Sequence, residues 1–359
     1  MKRILFILSL LPGVLYSQTE SEEVSHRFYL IGDAGNDTTS GQTLLNLKAR
    51  LKDDPLSTVI FLGDNVYHQG LEIGNPKSLT YLKSEKKLLS QLSVVQNFGG
   101  NVYFVPGNHD WKAGKWQGLK AITKMSKYIE ENLDLTSIRN KNEQNFVPTA
   151  GFPGPFTTTI ADGVRIIVID SQWGLQKQLF HPVGRNKSSR KTLEELYGEI
   201  DSLLNLASMN KELVIFAAHH PIYTIGEHNS RKEPLRFLVN YTPLQLFGLL
   251  GLNRWLIQDV HQPRYRRYRE NILRLFDKYN NIIYVAGHEH NLQYFNRGMN
   301  RYIVSGSGSK ISAIRKKVEA CTYYNDKQRG YFIVTVYKNG KIEIGTETED
   351  GAYFKVEKY

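Results

Sequence analysis

Five short segments of this chain each end a β-rich apolar run and carry side chains that commonly bind metal ions. The segments are Gly32-Asp33-Ala34-Gly35, Gly63-Asp64-Asn65-Val66-Tyr67, Gly107-Asn108-His109-Asp110, His219-His220-Pro221 and Gly287-His288-Glu289-His290. In an open α/β sheet, ligands gather at the carboxyl ends of the strands, so these side chains can converge on one spot. Oxygen and imidazole donors without cysteine favour two divalent or trivalent ions that carry out hydrolysis.

The elements that would position these segments alternate between strands and helices. Apolar runs predict strands at residues 27–31, 57–62, 101–105, 164–169, 212–217, 281–286 and 301–304. Helical patterns fall between them, at residues 40–51, 79–97, 119–132 and 191–207. This alternation predicts an α/β fold, and an Asn339-Gly340 turn predicts a hairpin near the carboxyl end.

Composition is that of an ordinary globular protein, with 359 residues of which 41% are hydrophobic and 23% charged. The formal net charge of +11 favours anionic partners, namely phosphate esters, nucleic acid, or an acidic membrane or cell surface. Cys321 is the only cysteine, so no disulfide can form within the chain.

The amino terminus has the pattern of a signal peptide. Met1-Lys2-Arg3 precedes an apolar stretch that is too short for a mature membrane span. We expect cleavage after Ser17, so residues 1–17 would be removed. The protein is therefore expected to be exported, and to be periplasmic or secreted if its source is bacterial.

Residues 229–270 are predicted to form an insertion. They contain an apolar run at 244–252, then Trp255, then the basic run from Arg264 to Arg269. Three interpretations stay open: a lid over the site, an interfacial element that contacts an anionic surface or membrane through 244–269, or a partner surface. The basic run alone is also typical of a solvated helix face.

The order Asp, Gly-Asp-Asn, Gly-Asn-His-Asp, His and Gly-His-x-His resembles the calcineurin-like metallophosphoesterase superfamily. Tyr67, three residues after Asp64, and the Ala-Gly pair after Asp33 resemble the small, tartrate-resistant type of purple acid phosphatase. The resemblance spans residues 32–290 and implies one catalytic domain over 24–359. It also implies a four-layer α/β/β/α sandwich, in which two facing β-sheets are flanked by helices.

The resemblance implies a binuclear metal centre with seven ligands, which are Asp33, Asp64, Tyr67, Asn108, His219, His288 and His290. Asp64 would bridge both ions, the first ion would also bind Asp33, Tyr67 and His290, and the second ion the other three. A phenol with a pKa near ~10 is a weak ligand unless a highly charged ion displaces its proton. Tyr67 therefore implies Fe(3+) in the first position, with Zn, Mn or Fe(2+) left open for the second.

The resemblance further places His109 and His228 against substrate, where they would bind phosphate and protonate the leaving alkoxide. Asp110 could orient the ring of His109, whereas Glu289 is expected to point away from the metals. The run from Ser305 to Ser309 lacks the lysine placement of a Walker loop and is expected near the site rim.

The function implied is an exported phosphomonoesterase in which a metal-bound hydroxide attacks the phosphorus of small-molecule phosphate esters. A phosphodiesterase or nuclease is the first alternative, although Tyr67 and the lack of histidine at residue 35 argue against it. A non-catalytic surface binding protein is the second alternative. No obligatory nucleic acid is implied, and the oligomeric state stays undetermined.

Overall fold

The structure is a computed structural model that describes residues 22–36, 41–55, 57–136, 144–161, 163–176, 192–229, 260, 262–315 and 318–359. The expected signal peptide and residues 230–259 of the expected insertion lie outside the described residues. The predictions of a cleavage site and of a lid, interfacial element or partner surface in the 229–270 insertion therefore stay predictions. No described helix combines the length and the apolar character that crossing a membrane requires.

Two mixed β-sheets form the centre of the molecule. The first has six strands in the order β13-β12-β11-β1-β2-β3. Its strands are β1 (Val24–Ile31), β2 (Thr58–Phe61), β3 (Asn101–Phe104), β11 (Gly330–Tyr337), β12 (Ile342–Thr348) and β13 (Tyr353–Lys358). The second has seven strands in the order β10-β8-β9-β7-β6-β5-β4. Its strands are β4 (Phe156–Ala161), β5 (Val164–Val168), β6 (Leu213–Ala217), β7 (Ile282–Ala286), β8 (Leu292–Arg297), β9 (Asn300–Ser305) and β10 (Cys321–Asn325).

Helices cover the outer faces of both sheets. Helices α1 (Gln42–Asp53), α2 (Leu79–Leu92) and α3 (Gly118–Thr136) pack on the first sheet. Helices α5 (Leu193–Met209) and α6 (Pro263–Phe276) pack on the second, and the short α4 (Ser171–Leu175) follows β5. The inner faces of the two sheets share a third apolar core, which confirms the predicted four-layer α/β/β/α sandwich.

The strand register brings the motifs to one edge. Strands β1, β2 and β3 are parallel, with Ile31 opposite Phe61 and Phe61 opposite Phe104, so all three end at the same level. In the second sheet β6 and β7 are also parallel, with Ala217 opposite Val285. Because each predicted ligand motif follows one of these five ends directly, the sheets deliver the motifs to a common place.

Every strand and helix predicted from the pattern is present, with ends that differ by a few residues. The predicted hairpin is β11–β12, and Gly340 takes a φ of +83° in its turn, as Asn-Gly turns require. Strands β4, β8, β10 and β13 and the short α4 were not predicted. Strands β4, β10 and β13 lie at sheet edges, and β8 lies inside the second sheet. The apolar alternation of all four is weak and α4 has only five residues, so local periodicity misses them.

The basic run from Arg264 to Arg269 lies in α6, which begins with Pro263 at its first position. Tyr265 and Tyr268 are buried in the core of the second sheet, whereas Arg264, Arg266 and Arg267 are exposed. The interpretation of this run as a solvated helix face is therefore correct for these three arginines.

Candidate metal centre

Asp33, Tyr67 and His290 form one compact group of donor atoms. The Tyr67 hydroxyl donates to Asp33 Oδ1 at 2.5 Å and lies 3.0 Å from His290 Nε2. His290 Nε2 is 3.6 Å from Asp33 Oδ1. Adjacent donors around an ion bound at about 2.1 Å are about 3 Å apart, so this triangle has the spacing of metal ligands.

Asn108, His219 and His288 form a second triangle of the same size. Asn108 Oδ1 lies 3.0 Å from both His219 Nε2 and His288 Nδ1, and these two nitrogens are 3.3 Å apart. His219 Nδ1 donates to the Leu62 carbonyl at 2.8 Å, so Nε2 is the ring nitrogen that faces the triangle. The structure thus brings together the three side chains predicted for a second ion.

Asp64 lies beside both groups. Its Oδ1 is 3.5 Å from His219 Nε2 in the second triangle, and Asp33, Asp64 and His219 offer donor atoms within 4.8 Å of one another. Its Oδ1 also accepts the amide of His109 at 2.8 Å. A carboxylate with two oxygens in this position is placed to bridge two ions, which in binuclear sites lie roughly 3.5–4 Å apart.

The electrostatics of the centre demand cations. Asp33 and Asp64 are fully buried, and in the described part of the chain neither forms an ion pair with Lys or Arg. Burial raises the pKa of Asp33 to about 8. Burial also raises the pKa of Asp64, but the positive charge of His219 outweighs it and leaves that pKa below its usual range. Two adjacent buried carboxylates are costly without a compensating charge. The residues present therefore fit a pair of bound metal ions.

The pKa values of the Tyr67 phenol and of the His290 imidazole also agree with bound metal ions. Burial and the charge of Asp33 raise the pKa of Tyr67 well above its usual value, so its phenol ionises only against a strongly charged ion. Burial and the nearby Lys310 lower the pKa of His290 to about 3, which keeps its imidazole neutral and able to bind metal.

Three of the candidate ligands have a backbone conformation that L-residues seldom adopt. The φ angles are +57° at Asp33, +53° at Asp64 and +72° at His288. Strain of this kind persists where surrounding contacts hold it, and it clusters at functional sites. Gly63 also has a positive φ of +92°, and a Cβ there would lie 2.6 Å from His219 Nδ1. Glycine is therefore required for the approach of His219 to the Leu62 carbonyl.

His109 lies at the rim, and its ring is held by a different residue from the one predicted. Its Nδ1 donates to the His68 carbonyl at 2.7 Å, and its Nε2 faces Asp64 Oδ2 at 3.8 Å. The oxygens of Asp110 instead accept the backbone amides of Gly107 and two loop residues after Asp64, which are Asn65 and Val66. The prediction that Asp110 orients the His109 ring is therefore wrong, because both of its oxygens hold the two metal-binding loops together.

His228 lies over the second triangle, where its ring stacks on that of His288 with centroids 4.4 Å apart. Glu289 holds this histidine in place, although it points away from the metal groups as expected. Its Oε1 accepts the His228 amide at 3.0 Å and the Thr224 hydroxyl at 2.9 Å, and its Oε2 accepts the Glu227 amide at 2.9 Å. Sequence reasoning missed this role.

His220 lies behind the ligands and is fully buried. Its Nδ1 is 2.8 Å from the Ser171 hydroxyl, and its donor atoms fall within 4.8 Å of those of His219 and His288. The Tyr265 ring of α6 packs edge-on against it at 5.6 Å. The position of α6 beneath the site could not be read from the pattern, because it depends on packing across the second sheet.

Comparison with known proteins agrees with this geometry. The family model for calcineurin-like phosphoesterases matches residues 26–292, which is most of the chain. The chain belongs to this family. Members use a binuclear metal centre, so the family match and the donor geometry together identify a metal-dependent phosphoester hydrolase. Searching the curated proteins gives no match.

Solved structures share the fold at low identity. The anchor GAP50 of the Plasmodium inner membrane complex is 16% identical with a TM-score of 0.54, over 93% of this chain and 89% of that protein. The purple acid phosphatase PPD1 of yellow lupin is 14% identical with a TM-score of 0.56, over 93% of this chain and 53% of that protein. A dimetal phosphatase of Danio rerio is 11% identical with a TM-score of 0.50, over 93% of this chain and 100% of that protein. This chain therefore spans about half the length of the lupin enzyme.

Proposed function

We propose that this protein is an exported phosphomonoesterase of the purple acid phosphatase type. The observation that carries the proposal is the Tyr67 hydroxyl, which completes a donor triangle with Asp33 and His290 beside the Asn108 triangle. When two ions are bound there, they supply Lewis acidity and lower the pKa of a water molecule. Export rests on the amino-terminal pattern alone, and cell fractionation of the full-length protein tests it.

The protein's own residues would position substrate and move one proton. His109 and His228 lie at the rim of the centre. His109 Nδ1 donates to the His68 carbonyl, so its Nε2 faces Asp64, and the His228 ring stacks on His288 of the second triangle. We propose that both rings bind phosphate oxygens and that one donates a proton to the leaving oxygen. Asp110 and Glu289 hold the loops that carry these rings, so they keep the geometry in which proton transfer is efficient.

Relative rates on p-nitrophenyl phosphate and bis-p-nitrophenyl phosphate test the proposed reaction. A phosphomonoesterase hydrolyses the monoester much faster at equal concentration with both ions bound. A faster rate on the diester would overturn the proposal in favour of a phosphodiesterase or nuclease, for which the net charge of +11 is the supporting feature.

A non-catalytic binding role is the second candidate, because the Plasmodium protein of similar fold is described as an anchor. The seven candidate ligands argue for catalysis here, since a binding surface has no need for two donor triangles with buried carboxylates. Protein that carries two ions and hydrolyses neither nitrophenyl ester would favour the anchor role.

Tyr67→Phe is expected to abolish a purple charge-transfer band while the protein stays folded. The change removes only the phenol oxygen that would bind Fe(3+), and Tyr67 is otherwise buried in contact with His109. The visible spectrum and iron content of both proteins are the measurement. Tyr29→Phe is the control, because its hydroxyl bonds to Asp54 and not to the metal centre. Colourless wild-type protein with full metal occupancy and no iron would refute the ferric assignment.

Glu289→Gln is expected to slow hydrolysis of alkyl phosphates more than that of p-nitrophenyl phosphate, with both ions retained. The amide replaces one acceptor oxygen, so the Glu227 or His228 amide loses its partner and the His228 ring shifts. Stability should fall by about 1–3 kcal/mol, the cost of an unsatisfied buried group. Thermal unfolding and steady-state rates are the measurements.

The matched control for this change is Glu227→Gln, whose side chain pairs with Arg315 at the exposed surface. It should leave both rates and the unfolding temperature close to wild type. Wild-type rates on both esters in Glu289→Gln would show that Glu289 does not position His228.

A further inference from the structure

One lysine that belongs to none of the five motifs lies beside the candidate metal centre. Lys310 Nζ stands 3.2 Å from the centroid of the Tyr67 ring, and the side chain is half-buried. Its charge is close enough to influence Asp33, Asp64 and His290. Sequence analysis passed over it, because it follows a serine-glycine run that lacks the Walker spacing.

The backbone before Lys310 is fastened to the loop that carries Asp33. The Ser309 hydroxyl donates to the Asp33 carbonyl and accepts the Asn36 amide at 3.1 Å. The Gly308 amide donates to the Gly32 carbonyl at 3.0 Å, and the Gly32 amide donates to Ser305 at 2.7 Å. These bonds hold the start of the Lys310 side chain at a fixed distance from the first donor triangle. Its position is therefore set by the fold and not by a surface loop alone.

Lys310 forms no ion pair with any described residue, since no carboxylate oxygen lies within 4.0 Å of its ammonium group. Asp33 and Asp64 attract it, but bound cations would neutralise those carboxylates. Among the described residues, the Tyr67 ring is then the group in contact with the ammonium that favours a cation. An anion that enters the site would offset this excess of positive charge.

We propose that Lys310 binds the phosphate group of the substrate from the Tyr67 side of the centre. The inference rests on the proposed function and extends it, because it assigns phosphate recognition to a residue outside the metal and histidine motifs. Lysine suits this task as a compact cation with three donors on a flexible stem. The phosphate would be held by Lys310 together with the two rim histidines.

Calorimetric titration of inorganic phosphate into metal-loaded protein tests the proposal. Lys310→Met keeps the length and apolar contact of the side chain but removes the charge. It should weaken phosphate binding roughly tenfold or more, as expected for loss of a charge-assisted hydrogen bond. Lys310→Arg should recover most of the affinity. Lys87→Met is the matched control, because Lys87 Nζ donates to the backbone carbonyl of Tyr67 at 3.0 Å. It should bind phosphate nearly as wild type does.

Unchanged phosphate affinity in Lys310→Met would overturn the proposal, and so would an affinity loss that merely follows loss of metal ions. Metal content is therefore measured on every sample. The titration needs no turnover, so it separates this inference from the proposed function. Phosphate binding that depends on Lys310 in a protein without monoesterase activity would refute the function and keep the inference. Monoesterase activity in a protein whose phosphate binding does not depend on Lys310 would keep the proposed function and refute the inference.

Discussion

Asp64→Ala is expected to lose both metal ions on dialysis and to reduce hydrolysis of p-nitrophenyl phosphate by about 10³-fold or more. Asp64 Oδ1 lies 3.5 Å from His219 Nε2 in the second triangle. The donor atoms of Asp64 and of Asp33, which belongs to the first triangle, lie within 4.8 Å of each other. The Asp64 carboxylate has two oxygens, one for each ion. Without its shared negative charge the two cations repel each other, so each binds more weakly.

Metal content per chain after dialysis is the decisive measurement. Loss of a ligand that belongs to one triangle, as in His290→Ala, should remove mainly one ion and gives the comparison. Asp201→Ala is the control for an ordinary carboxylate, since Asp201 pairs with Lys278 at the surface. Asp64 also accepts the His109 amide, so circular dichroism must confirm that the variant is folded. Retention of two ions per chain in folded Asp64→Ala would refute the bridging role.

His109→Ala and His228→Ala should each hydrolyse alkyl phosphates roughly 10²–10⁴-fold more slowly, with both ions retained. The rings lie outside the two donor triangles, at the rim, so their removal leaves the metal ligands unchanged. An alkoxide leaves poorly unless it is protonated, whereas p-nitrophenolate leaves without help. The loss should therefore be much smaller for p-nitrophenyl phosphate.

The comparison of leaving groups decides what these histidines do. Equal losses on the alkyl and nitrophenyl esters would mean that the rings bind phosphate and do not protonate the leaving oxygen. His26→Gln is the control histidine, because His26 bonds to Thr58 at the opposite end of β1 from Asp33. It should match wild type on both substrates. Any loss of metal in the rim variants would show that the rings act as ligands.

The sequence by itself determined which side chains could hold the ions. Each motif directly follows an apolar run, and a few neighbouring residues are enough to predict that the run forms a strand. Parallel strands deliver their carboxyl ends to one edge, so convergence of Asp33, Asp64 and Asn108 could be argued before any coordinates. The family resemblance supplied the second sheet and the division of the ligands between two ions.

Only the tertiary structure decided how the remaining polar residues are used. Asp110 binds loop amides and not the His109 ring, Glu289 holds His228 from 61 residues away, and Lys310 lies over Tyr67. Such contacts join segments that are distant in the chain, and they depend on how whole sheets and loops pack. Local patterns report the periodicity of one segment at a time, so they contain no information about which distant group a buried carboxylate or lysine meets.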